Sequence, residues 1–403
     1  MRPDKKRELF TAVLGPILFA GSATAIMARN MSHGDQTSEV NLDGNVAWTG
    51  MSVLPPGTTG NFVVFDAPNA YATLARSINA DGDVTGYFVS LTRSGSHGFV
   101  RHHNGAFAVF DAPDALYTEP HSINAGGEVA GRFIVGQFNA PGWVSHGFVR
   151  DRTGNIAVFD GPDALYTEAW SINDRGDVAG YFQDGQGYHG FVRDRDGNFT
   201  VIDPPNAVAS LGTFVQSINN SGDVPGYFYQ AGQGYRARGF VWDRRVVWSG
   251  VSVLPPGTNR NFTVFDVPNA LGTYVLSINA REEVAGWFPD ASPPYKERGF
   301  VRERDGDITI FDAPNSSNMR PASINARGEV AGWFADASQA YRERGFVRDS
   351  KGNITVFDAP NALYTEAWSI NDRGDVAGWF NDPIHSKLRG FVRHRGPYEN
   401  KQE

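Results

Sequence analysis

Cysteine is absent from this 403-residue chain. Its absence excludes disulfide bonds, cysteine-ligated zinc and thiol nucleophiles together. Positive charge is also in deficit, because 36 Lys and Arg stand against 44 Asp and Glu and give a formal net charge of −8. A protein that neutralises phosphate groups carries the opposite excess, so we predict no nucleic-acid partner and no binding to anionic membrane surfaces.

Charge of either sign is sparse, whereas turn-forming and aromatic residues are abundant. Charged residues make up 20% of the chain and aromatic residues 13%, with 46 Gly and 23 Pro. Large rings between frequent turns are typical of short β-strands joined by tight loops. The composition therefore predicts an all-β protein.

The first 25 residues have the order of a secretory signal. Residues 1–8 contain four basic side chains, residues 9–28 are uncharged, and residues 23–25 are small enough for cleavage. We predict a signal peptide over residues 1–25, export to the periplasm, the cell surface or the medium, and no stable membrane insertion after cleavage. An uncleaved anchor is the alternative, since 20 uncharged residues can just span a bilayer. Residues 26–60 are predicted to be a linker.

Internal repeats dominate the chain after residue 60. Ser-Ile-Asn occurs seven times, beginning at Ser77, Ser122, Ser171, Ser217, Ser277, Ser323 and Ser369. Gly-Phe-Val occurs seven times, beginning at Gly98, Gly147, Gly190, Gly239, Gly299, Gly345 and Gly390. Asp-x-Pro follows an apolar run seven times, at Asp66, Asp111, Asp160, Asp203, Asp266, Asp312 and Asp358. These three signatures indicate seven copies of one structural unit.

Each unit is predicted to hold four short strands, the signature of a propeller blade. Turns with Asx first and Gly fourth separate the first strand from the second and the third from the fourth. The pattern begins with a lone fourth strand at residues 61–66 and ends with a third strand at residues 390–393. Pairing these two completes the last blade and leaves no open edge around the ring. We predict a monomeric seven-bladed β-propeller over residues 61–395 and a tail over residues 396–403, with an open solenoid as the alternative.

Residues that recur in every unit are predicted to be scaffold. An acidic residue opens each second strand and an arginine ends six third strands, so an ion pair between the two is expected. A calcium ladder through these carboxylates is the alternative, although the Asp-x-x-Gly turns lack the ligand density of a calcium loop. We predict no cofactor and no metal.

The repeat unit resembles that of the HAF-type extracellular repeat proteins of bacteria. The motifs that carry the resemblance are Ser-Ile-Asn-x-x-Gly-[Asp/Glu]-Val-Ala-Gly, His-Gly-Phe-Val-Arg and Phe-Asp-x-Pro, over about residues 61–395. The resemblance implies bacterial export and repetition, and no particular reaction. The leading histidine survives only at His97, His146 and His189. Equivalent atoms of neighbouring blades at this radius lie roughly 15 Å apart, too far to share a zinc ion.

Residues of different blades converge only near the central axis, where the first strands lie about 7 Å apart. The position before Ser-Ile-Asn varies strongly there, and three glutamates lie two residues earlier, each after a Tyr-Thr pair. A ligand-binding site is therefore predicted at the channel mouth, formed by Arg76, Tyr117, Glu119, His121, Tyr166, Glu168, Trp170, Gln216, Tyr364, Glu366 and Trp368.

Two function classes fit these residues. In the first, Trp and Tyr faces supply stacking area, and charged groups orient a glycan, a peptide or a cell-surface partner. In the second, the protein cleaves a polysaccharide as a hydrolase or lyase, with Glu119, Glu168 and His121 as the catalytic groups. The second class has no supporting motif, because Gly-x-Ser-x-Gly and His-Glu-x-x-His are both absent. A purely structural surface protein is a third alternative.

The loops between second and third strands offer one more surface. Arg236, Lys296 and Arg342 each follow a tyrosine in successive units. They are either solvated loop charges or a basic arc for an acidic polymer.

Overall fold

The computed structural model describes residues 61–136, 143–230, 236–244 and 261–396. The predicted signal peptide, the linker and residues 397–403 of the predicted tail lie outside the described residues. Within the described residues, no helix has the length and apolar character needed to cross a membrane. Their one helical element is a short 3-10 helix at Ala337–Gln339.

Strands account for nearly all the regular structure of the described residues. In chain order they are β1 Asn61–Phe65, β2 Ala70–Ile78, β3 Val84–Ser90, β4 Ser96–Arg101, β5 Phe107–Phe110, β6 Tyr117–Ile123, β7 Val129–Val135, β8 Val144–Arg150, β9 Ile156–Phe159, β10 Tyr166–Ile172, β11 Val178–Gln183, β12 Tyr188–Arg193, β13 Phe199–Ile202, β14 Thr213–Val215, β15 Val224–Tyr229, β16 Ala237–Trp242, β17 Phe262–Phe265, β18 Tyr274–Ile278, β19 Val284–Pro289, β20 Glu297–Arg302, β21 Ile308–Phe311, β22 Ser316–Ile324, β23 Val330–Asp336, β24 Arg342–Arg348, β25 Ile354–Phe357, β26 Thr365–Ile370, β27 Val376–Asp382 and β28 Lys387–His394.

Strand pairing groups these elements into seven four-stranded antiparallel blades. Blades one to six are β2–β5, β6–β9, β10–β13, β14–β17, β18–β21 and β22–β25. Blade seven combines β26, β27 and β28 with β1, which pairs from Asn61 opposite His394 to Phe65 opposite Gly390. The predicted all-β propeller, closed by its first strand, is confirmed.

The Ser-Ile-Asn motif closes two rings of hydrogen bonds around the axis. Each asparagine Nδ2 donates to the backbone carbonyl of the asparagine in the next blade at 2.9–3.2 Å, and Asn371 donates back to Asn79. Each serine Oγ accepts from the isoleucine N–H of the next blade at 3.2–3.4 Å, from Ser77 to Ile123 and finally from Ser369 to Ile78. The motif recurs because every blade needs both links.

The same asparagine also shapes the turn that follows it. Oδ1 of Asn79 accepts from the N–H groups of Asp81 and Asp83 at 3.1 and 2.9 Å. Gly82 completes the turn with a φ of 88°, in the left-handed region that favours glycine. One side chain thus forms an Asx turn with its oxygen and an inter-blade link with its nitrogen.

Apolar side chains pack between neighbouring blades. The core between blades three and four, for example, contains Ala179 and Val192 from one blade and Phe228 and Phe240 from the other. The third-strand arginines lie over phenylalanine rings of the preceding blade, at 4.8–5.2 Å from guanidinium carbon to ring centroid.

The predicted ion pair between the second and third strands is wrong for Asp83, Glu128 and Asp177. Asp83 pairs with His102, Glu128 with Arg195, and Asp177 with Arg175 and Arg244. The physical reason is that the third-strand arginine faces the neighbouring blade, where a phenylalanine ring receives its guanidinium.

The aspartate of each Asp-x-Pro element pairs with the residue before Gly-Phe-Val. His97, His146 and His189 contact Asp111, Asp160 and Asp203 at 2.7–2.9 Å, and arginines take the same place in the other four blades. The loop cations Arg236, Lys296 and Arg342 reach these aspartates too, at 3.8, 3.1 and 3.3 Å. The basic-arc alternative therefore loses its support, because protein carboxylates already pair with its charges.

Candidate functional site

The variable position before Ser-Ile-Asn is a β-bulge in six of the seven first strands. The register shifts at Arg76, His121, Trp170, Leu276, Ala322 and Trp368. Gln216 occupies the same place directly after β14 and is half-buried. Bulges redirect a side chain and are over-represented beside active sites.

A glycine in the second strand makes room for this local geometry. A Cβ on Gly180 would lie 2.0 Å from the carbonyl oxygen of Glu168, and the equivalent glycines of the other blades are similarly confined. The repeated glycine is therefore required by backbone packing, while the neighbouring bulge residue is free to vary.

The bulge residues of four successive blades, Trp368, Arg76, His121 and Trp170, form two stacked pairs of planar side chains, which together we call the stacked arc. The Arg76 guanidinium lies 4.0 Å above the Trp368 ring. The His121 and Trp170 rings stack with centroids 4.4 Å apart and planes 25° apart. The first pair joins blades seven and one, the second pair joins blades two and three, and the charge of Arg76 helps to lower the pKa of His121 between them.

Arg132 connects the carboxylates of two neighbouring blades, blades two and three. Its Nε donates to Oε2 of Glu119 at 2.9 Å, and its Nη1 lies 3.3 Å from Oε2 of Glu168. Arg132 and Glu168 are only 4% and 3% exposed. Burial alone would lower the pKa of Arg132, but Glu168, Tyr166 and Glu119 outweigh burial and hold that pKa well above its ordinary value.

Two tyrosines complete the surroundings of Glu168. Tyr166 and Tyr181 both donate their hydroxyl hydrogens to Oε2 of Glu168, Tyr181 at 2.7 Å. Burial, with Arg132 opposing it and Glu168 adding to it, raises the pKa of Tyr166 well above its ordinary value. Both hydroxyls therefore act as hydrogen-bond donors at neutral pH.

His121 is held as a neutral ring with one free acceptor. Its Nδ1 lies 3.1 Å from the carbonyl oxygen of Ala169 and must be the protonated nitrogen. Burial, then the positive charges of Arg132 and Arg76, lower the pKa of His121 well below its ordinary value. Nε2 lies 3.9 Å from Oε1 of Glu168. Both atoms are hydrogen-bond acceptors, and both belong to buried side chains that are 5% and 3% exposed.

Glu366 belongs to a second polar group at the other end of the stacked arc. Its Oε2 accepts from Nε1 of Trp368 at 3.0 Å, and its carboxyl hydrogen-bonds to that of Glu343 on β24. Burial and then the charge of Glu343 raise the pKa of Glu366 well above its ordinary value. The raised pKa favours the protonated form of the Glu366 carboxyl. Tyr364 packs edge-on against Trp379, with ring centroids 5.8 Å apart.

The remaining predicted residues contribute less. Tyr117 begins β6 and is half-buried. Gln216, which follows β14 in blade four, is also half-buried. Gln216 neighbours the aromatic cluster of Phe214, Tyr227, Tyr229 and Tyr274, whose rings pack at 5.1–6.5 Å. Blades four and five thus have aromatic rings at the position that carries a charged residue in blades two, three, six and seven.

Sequence reasoning missed two charged residues of the site, Arg132 and Glu343. A signal for Arg132 was present, because it stands in the Gly-x-Phe of the second strand where the other six blades have Tyr or Trp. Glu343 precedes Arg-Gly-Phe on a third strand, and no pattern within first strands indicates it. Across the described ranges, no three or more His, Asp or Glu side chains are placed to hold a metal ion.

Known proteins resemble this chain in fold. No protein-family model and no curated protein matches its sequence. Among solved structures, the β-propeller domain of the Trilobed protease from Pyrococcus furiosus has a TM-score of 0.54 at 10% identity, over 80% of this chain and 94% of that one. This likeness shows a β-propeller fold and nothing of function.

Two further solved propellers are similar over most of their length. A catalytically inactive virginiamycin B lyase from Staphylococcus aureus has a TM-score of 0.49 at 16% identity, over 83% of this chain and 99% of that one. The SapL1 lectin has a TM-score of 0.42 at 11% identity, over 72% and 97% respectively.

Proposed function

We propose that this protein is an exported bacterial binding module of the HAF-repeat type, and that it binds a glycan at the propeller mouth beside the stacked arc. The observation that supports this proposal is the stacked arc itself. Four neighbouring blades place Trp368, Arg76, His121 and Trp170 at one variable, bulged position, where Arg76 stacks on Trp368 and His121 stacks on Trp170.

A glycan suits these surroundings better than a purely apolar ligand. Sugars present C–H faces that stack on Trp and His rings, and hydroxyl groups that need fixed acceptors. Nε2 of His121 and Oε1 of Glu168 are such acceptors. The network of Arg132 and the tyrosines holds Glu168 in place, so little ordering of side chains is needed on binding.

A polysaccharide-cleaving enzyme is the second candidate. Its predicted pair of catalytic carboxylates is weakened, because Arg132 lies between Glu119 and Glu168 and bonds to both. The observation in its favour is instead the raised pKa of Glu366, which keeps a proton available for a general acid. Turnover of a polysaccharide that is lost in Glu366→Gln would support this candidate. Turnover that survives Glu119→Gln and Glu168→Gln removes those two residues from any mechanism.

A glycan array with the purified full-length chain tests binding. We expect at least one glycan class to bind, and Trp170→Ala combined with Trp368→Ala to weaken that binding by about tenfold or more, since each removes a stacking face. Trp287→Ala is the matched control, because Trp287 stacks on Tyr274 at 4.2 Å in blade five. Binding that survives the double substitution, with unchanged urea midpoints, would place the site elsewhere.

A further inference from the structure

We propose that the glycan bound at this mouth is acidic, and that Arg76 binds its carboxylate. This inference rests on the proposed function and specifies its ligand. It comes from comparing three arginines that lie at the mouth in different blades, Arg76, Arg132 and Arg320.

Of these three arginines, only Arg76 has shielded donor nitrogens without an acceptor among the described residues. Its Nη2 donates to the Tyr87 hydroxyl at 3.1 Å, and its guanidinium lies flat on Trp368. Its Nε and Nη1 are shielded from solvent and hydrogen-bond to no described residue. A shielded guanidinium donor without an acceptor costs free energy, so an incoming anion that supplies one is favoured.

Arg320, two residues before the bulge of blade six, shows which partner another guanidinium stacked on a tryptophan takes. It lies 4.0 Å above the Trp287 ring, the same distance as Arg76 above Trp368. Unlike Arg76, it pairs with the carboxylate of Glu297 at 2.7 Å. Each of the two arginines therefore lies over a tryptophan ring. Within the described residues, only Arg320 also forms an ion pair with a carboxylate.

Arg132 confirms the preference in the adjoining blade, since it pairs with Glu119 and Glu168. Glu366 lies near enough to influence Arg76 electrostatically, but that carboxyl already bonds to Trp368 and Glu343. A ligand carboxylate is thus the group that would complete Arg76.

Uronic acid oligosaccharides and their methyl esters test this inference, because esterification removes the charge and leaves the sugar unchanged. The probes are short oligomers of galacturonate, glucuronate and mannuronate, each measured beside its ester by calorimetry at neutral pH. We expect the wild-type chain to bind at least one acid form about tenfold or more tightly than its ester, as hydrogen bonds between charged groups allow.

Arg76→Gln should bring this ratio close to one, because it should weaken binding of the acid form far more than binding of the ester. Arg320→Gln, the matched control, should keep the wild-type ratio. Arg76→Lys should give a partial preference, since it keeps the charge and loses the planar donors. These variants need only fold well enough to bind the ester, which serves as an internal check.

Each other result overturns a defined claim. Neutral glycans that bind the array while no acid form is preferred would refute the acidic ligand and leave the proposed function standing. A preference that persists in Arg76→Gln would refute the role of Arg76. Absence of all glycan binding, or capture of acidic peptides instead, would remove the proposed function and this inference together.

Discussion

The two sides of the propeller mouth use one backbone position in opposite ways. Two residues before the bulge, blades two and three carry Glu119 and Glu168, whereas blades four and five carry Phe214 and Tyr274. The glutamates bond to Arg132, and the rings pack on other rings. The flanking strand geometry is alike on both sides, since each of these residues pairs with the Gly-x-Phe position of its second strand.

This difference teaches that the scaffold does not dictate what fills the mouth. The two rings of hydrogen bonds made by the serines and asparagines, together with the phenylalanines packed between blades, join neighbouring blades without any contribution from this position. A buried carboxylate is nevertheless tolerated only with a compensating cation. Arg132 of blade two therefore supplies charge to Glu168 of blade three, so that neighbouring blades are matched in pairs.

The largest effect should come from removing the shared cation on the polar side. Arg132→Met leaves Glu119 and Glu168 without their cation, and we expect a loss of about 3–5 kcal/mol in the free energy of unfolding, measured by urea denaturation. Arg320→Met, at the equivalent first-strand position of blade six, should cost about 1 kcal/mol or less, because Glu297 is more exposed and can be solvated. Equal losses in the two variants would contradict the contrast between the sides.

A smaller effect is expected from reshaping the aromatic side. Phe214→Leu keeps most of the volume of a buried ring that contacts Tyr181, Tyr188, Tyr227 and Tyr229. We expect a loss of about 1 kcal/mol in urea denaturation and unchanged glycan affinity. Weakened glycan binding without unfolding would show that the aromatic cluster takes part in recognition.

The third prediction concerns the pH dependence of stability. Because the pKa of Glu366 is raised in the folded state, the unfolded chain loses this proton first as the pH rises. The contribution of Glu366 is therefore fully present below the ordinary glutamate pKa and is lost as the pH rises through the raised one. Thermal unfolding followed from mildly acidic to alkaline pH should show a smaller decline in Glu366→Gln than in the wild type. An identical decline would mean that folding does not raise the pKa of Glu366.

The fold and the site differ in how far sequence predicts them. Repeated Ser-Ile-Asn, Gly-Phe-Val and Asp-x-Pro predict the blades and their closure, because one local rule recurs in every unit. The bulge residues Arg76, His121, Trp170 and Trp368 could also be found, since variation inside a strict repeat is visible in the sequence.

The partners of these residues could not be found in the same way. Arg132 reaches Glu168 from another blade, 36 residues earlier in the chain. Glu343 reaches Glu366 from the third strand of the preceding blade. Such contacts depend on blade spacing and on which face of the sheet a side chain leaves, neither of which a strand pattern specifies. The same cause explains the wrong ion pair of Asp83, since Arg101 turns to Phe65 in blade seven.

The asparagine and serine rings have a direction: every amide donates forward to the following blade, and every hydroxyl accepts from it. No junction differs in kind from any other, including the one where the two chain ends meet. A duplicated or exchanged unit thus brings the residues that form hydrogen bonds with both of its neighbours. Duplication or exchange of whole units can therefore produce new combinations of residues at the mouth, while the hydrogen bonds between blades stay the same.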